Sequence, residues 1–222
     1  MAAKKRAPSS VEPPVETDGR KLRRLRTEER LVSAVGELLR EGGVAALGVN
    51  AVAERAEVEK VLVYRYFGGL DGLMAAYAAR SDFWPTLDEL LGPGREVLRD
   101  ADPARAVARV LGNYARALRK RKVTLDLLAF ECSQRNALTV ALEEVRERRS
   151  EELYAALAGA GFPVSGPVGA VGALFSAAIN YLTVRGRDIR VFGGLPVRTE
   201  SDWDVIEGAM ESAFRALLVA RA

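Results

Sequence analysis

The chain has 222 residues, 49% of them hydrophobic and 28% charged, which suits one domain or a small domain joined to a larger one. It contains no histidine and a single cysteine, Cys132, which excludes an internal disulfide, Ser-His-Asp and Cys-His catalysis and histidine-based zinc chemistry. The formal charge is +3, and the whole excess lies in residues 1 to 68, where 13 Lys and Arg face 10 Asp and Glu.

The first residues are basic with no apolar core after them, so no secretory signal is expected. The most apolar run, Val168 to Leu182, is interrupted by Ser176 and Asn180 and reads as short of the roughly 20 residues of a membrane span. A reduced lone cysteine and no span imply a cytoplasmic protein that uses no membrane. With so few ligating side chains, neither a metal nor another cofactor is expected, and binding is favoured over catalysis.

Residues 1 to 19 hold three prolines, two serines and scattered charge, the composition of a disordered tail. Lys4, Lys5 and Arg6 could reach a nucleic-acid groove or simply float in solvent. The spacing of Leu31, Ala34, Val35, Leu38 and Leu39 predicts a helix over 21–41, stopped at Gly42-Gly43. Leu47 to Phe67 reads as two short helices broken by a tight turn at Ala56-Glu57-Val58, with Val52, Ala53, Ala56 and Val58 completing a small core.

That pattern is a helix-turn-helix DNA reader. Its second helix begins near Lys60, turns Val63 and Phe67 inward, and leaves Lys60, Val61, Leu62, Tyr64, Arg65 and Tyr66 outward or sideways. In a groove, Lys60 and the hydroxyls of Tyr64 and Tyr66 can reach phosphates, Val61 or Leu62 a thymine methyl, and Arg65 a guanine edge. The cluster Arg20, Lys21, Arg23, Arg24, Arg26 reads either as a solvated helix start or as a phosphate contact, with Arg24 and Arg26 the candidates.

Beyond Phe67 the pattern is almost entirely helical. A long connecting helix is expected over 70–91 with a kink or break at Pro85, then a turn at Gly92-Pro93-Gly94. Asp102-Pro103 is an N-cap and first position for a helix to about Lys122. Helices over 123–132 and 136–158 follow, the latter amphipathic and highly charged. Gly159, Gly161 and Pro163 end it, and Ser165 opens a helix to about Val184. Arg185 to Thr199 reads as a loop, and Ser201 as the cap of a last helix to about Ala220. No convincing strand is evident.

Arg30-Leu31, Ala34, Leu38-Leu39, Gly43, Leu47, Val52-Ala53, Ala56, Val58, Lys60, Val63-Tyr64, Tyr66-Phe67 and Leu73 fall at the spacings of the TetR family of bacterial transcriptional regulators. The chain resembles that family over roughly residues 26 to 75, with Tyr-x-Tyr-Phe the most specific element. Three positions depart from the pattern: Gly48 for a usual Thr or Ser, Glu57 for a usual Gly, and Leu70 for a frequent Lys.

The resemblance implies an all-α protein in three parts: a tail over 1–19, a three-helix DNA-binding head over 20–68, and a larger helical ligand-binding and dimerisation domain over 69–222. It implies a homodimer on a double-stranded DNA operator, most readily a repressor released by a small-molecule effector, and not an enzyme. Asn50 matches a position where the family commonly touches DNA. The effector pocket it implies could be lined by Phe83, Trp84, Tyr114, Leu128, Phe175 and Tyr181, with Glu131 and Asn180 as polar groups. Family dimers form through the last two helices, so the small residues Gly169, Gly172, Ala173 and Ser176 become the candidate interface, unless they pack within one subunit. The rival reading is a helical ligand-binding or protein-interaction module that has lost operator binding, a reading that Glu57, Glu59 and Leu70 favour.

Overall fold

Helix α1 spans Asp18–Gly42, and the positions its periodicity selects, Leu31, Ala34, Val35, Leu38 and Leu39, are all buried. The computed structural model describes residues 18–79 and 83–219. The expected tail, with Lys4, Lys5 and Arg6, lies outside the described residues apart from its last two positions, which begin α1. Gly43, at φ 63°, turns the chain out of α1.

Two short helices follow, α2 (Val49–Arg55) and α3 (Val61–Phe67). Val52 and Val63 are fully buried against Leu31 and Val35 of α1. Arg55 of α2 reaches Glu41 of α1 at 2.6 Å and Glu37 at 3.4 Å. Helix α3 ends at Gly68, whose φ of 75° is the left-handed cap that glycine supplies without strain.

Helix α4 (Leu70–Ala78) starts directly and crosses the end of α3. A Cβ on Gly72 would lie 1.9 Å from the carbonyl oxygen of Phe67, so the crossing depends on glycine there. The helix expected over 70–91, with a kink or break at Pro85, is divided, and its first part ends well before that proline. Helix α4 stops at Ala78, and a separate α5 runs only over Leu87–Leu91. Pro85 lacks an N–H and disfavours helix at the residue before it, and Thr86 then caps α5 in a reciprocal box with Glu89. Arg80, Ser81 and Asp82 lie outside the described residues.

A 3-10 stretch over Pro93–Arg99 replaces the simple turn, with Gly94 and Arg95 at φ 57° and 56°. Helix α6 (Pro103–Arg119) begins as its sequence dictates: Asp102 accepts from the N–H of Ala104 at 3.1 Å and of Arg105 at 3.4 Å. Helix α7 covers Lys122–Glu131 and α8 covers Ala137–Gly159. Asn136 opens α8 in a capping box with Thr139.

Helix α9 (Gly166–Arg185) is 20 residues long, and its most apolar 18-residue window has a mean hydropathy of 1.4, enough to cross a membrane by length and composition alone. That corrects the reading of Val168 to Leu182 as too short, because Ser176 and Asn180 are too few to offset their apolar neighbours. The loop expected over 185–199 contains a small hairpin, β1 (Val191–Phe192) with β2 (Leu195–Pro196). Gly193 and Gly194, at φ 56° and 85°, make its two-residue turn. Helix α10 (Glu200–Val219) is capped by Thr199 rather than Ser201. The Thr199 hydroxyl accepts from Asp202 N–H at 3.2 Å, and the Asp202 carboxylate accepts from Thr199 N–H at 2.7 Å.

Helix α6 is the axis of the larger part, packed by α10 along most of its length and by α5 and α9. Helix α4 packs on α8 and α1. One apolar core runs from Leu31 in α1 to Phe214 in α10, and a second, smaller one gathers Leu91, Val97, Ala106, Val110, Leu157 and Phe162.

Candidate nucleic-acid interface and effector cavity

The tight turn between α2 and α3 is built on Glu57, whose φ of 51° is a left-handed conformation that disfavours a side chain. The N–H of Val58 returns to the Ala53 carbonyl at 3.0 Å and fixes the angle between the two helices. Val63 faces the core, Phe67 and Tyr66 pack at its edge, and Val61, Tyr64 and Arg65 project outward. Val61 is 48% exposed and Tyr64 56%, an unusual load of large apolar surface for a seven-residue helix.

Lys60, Arg65 and Asn50 are exposed beside them, and Arg26 is exposed on α1. Leu62 and Tyr66 are half-buried. Tyr66 takes the guanidinium of Arg24 over its ring at 5.3 Å, while Arg24 also binds Glu28 at 2.7 Å. Gly48 gives α2 no side-chain cap, as its departure from the family pattern implies.

The expected pocket residues do not form one group. Trp84, Tyr114 and Asn180 line a cavity of about 100 Å³ between α6, α8 and α9. Phe83 and Leu128 are buried in the core outside it. Phe175 packs edge-on against Phe214 of α10, with ring centroids 5.6 Å apart, and Tyr181 is half-exposed against Phe192 of the hairpin. Both aromatics point away because α9 presents only one face to the cavity. Glu131 is not a lining residue, but it accepts from Arg146, which is, at 2.9 Å.

Within the cavity Tyr114 donates to Asn180 Oδ1 at 2.5 Å. Burial pushes the Tyr114 phenol above its ordinary pKa, so it keeps the proton it donates. Sequence reasoning missed the α8 wall. Arg146, Arg149, Ser150, Leu153, Tyr154 and Leu157 all line the cavity. Their spacing places them on one helical face, a signal present in the sequence.

The candidate interface residues also divide. Gly172 and Ser176 line the cavity, and a Cβ on Gly169 would meet the Val164 carbonyl at 2.6 Å, so all three pack within the subunit. Ala173 is exposed, on an outer face it shares with Leu174, Ala177 and Tyr181.

This is an all-α protein with an N-terminal helix-turn-helix mounted on a larger helical body. Residues 31–77 match the model of bacterial regulatory proteins of the tetR family, and the chain carries that family's N-terminal domain. No curated protein matches the sequence. Among solved structures, the chain resembles a TetR-like transcriptional regulator from Rhodococcus sp. RHA1 at 20% identity and TM-score 0.53, covering 86% of this chain and 96% of that one. It resembles PfmR, a TetR family transcriptional regulator from Thermus thermophilus, at 20% identity and TM-score 0.51, covering 82% and 97%. RolR, solved in complex with resorcinol, aligns at 17% identity and TM-score 0.55, covering 87% and 90%. These likenesses extend the tetR-type fold over most of the chain.

Proposed function

We propose that the chain is a ligand-responsive transcriptional regulator that binds a pseudo-palindromic operator as a homodimer, represses, and is released by a small molecule. The observation that carries this reading is the exposed face of α3. Among the described residues Val61, Tyr64 and Arg65 remain exposed, and a DNA groove gives each a partner. Residues 20–68 then serve as the DNA-binding head and 69–222 as the effector and dimerisation domain, in the cytoplasm and without a catalytic role.

Two heads on successive major grooves require recognition helices roughly 34–36 Å apart, or a multiple of that. The dimer is assigned to the outer face of α9 with α10. Leu174 is 69% exposed there and Val205 63%, and burial against a second copy accounts for an apolar helix that keeps Ala173, Leu174, Ala177 and Tyr181 exposed. Coupling runs through α4, which contacts α3 at one side and α8 of the cavity wall at the other. An effector that binds one arrangement of α8 better than another shifts the head spacing by that difference in affinity.

Selection from a random pool of duplexes tests the reading. A shared palindrome, bound with steep salt dependence, is the expected result. Recovery of no common sequence would favour the helical binding module that has lost its operator.

A further inference from the structure

Resting on that reading, we infer that the effector is a small carboxylic acid with a single ring, its carboxylate held by Arg149 and Arg146. Among the described residues the cavity wall contains two arginines and no acidic residue. The carboxylates that pair with them, Glu131, Glu147 and Glu152, all lie outside the lining. Arg146 spends one nitrogen, Nη1, on both oxygens of Glu131. Arg149 gives Nη1 to Glu152, and its Nε is buried without any acceptor. A buried arginine donor left unpaired is costly and uncommon.

Most hydroxyl protons of the wall are already committed. Asn180 Oδ1 takes the Tyr114 hydroxyl. The hydroxyls of Ser150 and Ser176 donate back to the Arg146 and Gly172 carbonyls of their own helices. Those hydroxyl oxygens keep their lone pairs, so the donors left for a ligand are chiefly the arginine N–H groups and the Asn180 amide, and the two guanidinium charges make an ionised carboxylate the acceptor that matches them. The remaining wall is apolar, with Trp84, Leu111 and Leu157 among it. Its volume of about 100 Å³ is on the scale of one six-membered ring, since a cavity of roughly 150 Å³ takes benzene.

The test uses the full chain with Trp203→Phe, which leaves Trp84 as the sole tryptophan. Benzoate, benzamide and benzyl alcohol are titrated against its fluorescence and by calorimetry. Benzoate is expected to bind at least tenfold more tightly than either neutral compound. Arg149→Gln should remove that preference. Gly172→Val should abolish binding by filling the cavity, since nothing lies within 4 Å of a Cβ placed there. Equal or tighter binding of the neutral rings, a benzoate preference that survives Arg149→Gln, or no binding by any of the three overturns the inference. Should Arg149→Gln fail to fold, the benzoate-to-benzamide ratio of the unsubstituted cavity decides alone. Release of selected DNA is measured separately. Benzoate that binds without releasing DNA upholds the ligand class and sinks the regulatory coupling instead.

Discussion

Arg30 donates from one nitrogen, Nη2, to both the backbone carbonyl of Glu57 at 3.2 Å and its carboxylate at 3.3 Å, tying α1 to the turn before α3. The side chains are 50% and 87% exposed, so the ion pair itself contributes at most about 1 kcal/mol. Its importance is positional, because it grips the one residue of the head held at an unfavourable backbone angle.

Replacing that residue should therefore help the fold. A left-handed conformation costs a non-glycine residue about 1–2 kcal/mol, against about 0.5–1 kcal/mol for the extra freedom of glycine in the unfolded chain. Glu57→Gly is expected to raise stability by about 0.5–1 kcal/mol and Arg30→Ala to lower it slightly. Urea midpoints measure both, and a lower midpoint for Glu57→Gly would refute the strain argument.

Lys60 and Arg65 are both exposed at the reading face but should act differently. Lys60→Ala is expected to weaken binding uniformly across sequences and to reduce the salt slope by about 1. Arg65→Ala should relax discrimination at one base position, by about 1–3 kcal/mol. A panel of single-base operator variants at two salt concentrations separates them. Identical sequence-blind losses would dissolve the distinction.

Leu174→Arg and Ala173→Arg place a charge on the outer face of α9 and should shift the protein to monomer with its helicity intact. Gly169→Ala should instead destabilise the subunit, because its Cβ meets the Val164 carbonyl. Sedimentation together with circular dichroism distinguishes these outcomes. A dimer unaffected by Leu174→Arg would move the interface elsewhere.

Asp100 is held at a pKa of about 2, chiefly by the paired hydrogen bonds of Arg105 at 2.6 and 2.8 Å and then by the N–H of Asp102. Its folded pKa lies below the ordinary 3.8, so the stabilisation is present in full above the ordinary value and lost as pH falls through about 2. Carboxyl NMR titration should find this low midpoint, and Arg105→Gln should return it toward 3.8. A midpoint already near the ordinary value in the unsubstituted protein would remove the pair from the acid response.

The head was legible because its apolar spacing is regular and each turn carries its own punctuation. Leu31 through Leu39 repeat at one helical period, and Gly43 and Gly68 sit where the chain must turn. Asp102-Pro103 was legible for the same reason. The stretch after Leu70 was legible in part, since Pro85 marks an interruption but nothing in the apolar run before it shows that α4 stops already at Ala78. The α8 wall stayed hidden because Arg146 and Arg149 sit among glutamates that make the helix look solvated. Only their place on the same helical face as Leu153 and Leu157 separates these arginines from ones in water. On α9 small residues occur on both faces, so periodicity could not separate Gly172, beside the cavity, from Ala173, on the outside.

Gly72 also governs how the reading face can move. Because α4 lies against the Phe67 carbonyl with no room for even a methyl group, the C-terminal end of α3 is fixed to α4, while Val63 and the Arg30 contact anchor its other side to α1. That end is carried by α4 as a blade is carried by its handle. A tilt of α4 swings Tyr64 and Arg65 through an arc set by their distance from the pivot, without melting a turn or breaking a helix. Geared in this way, the reading face is aimed by leverage, and a bulkier residue at the pivot would leave it permanently misdirected.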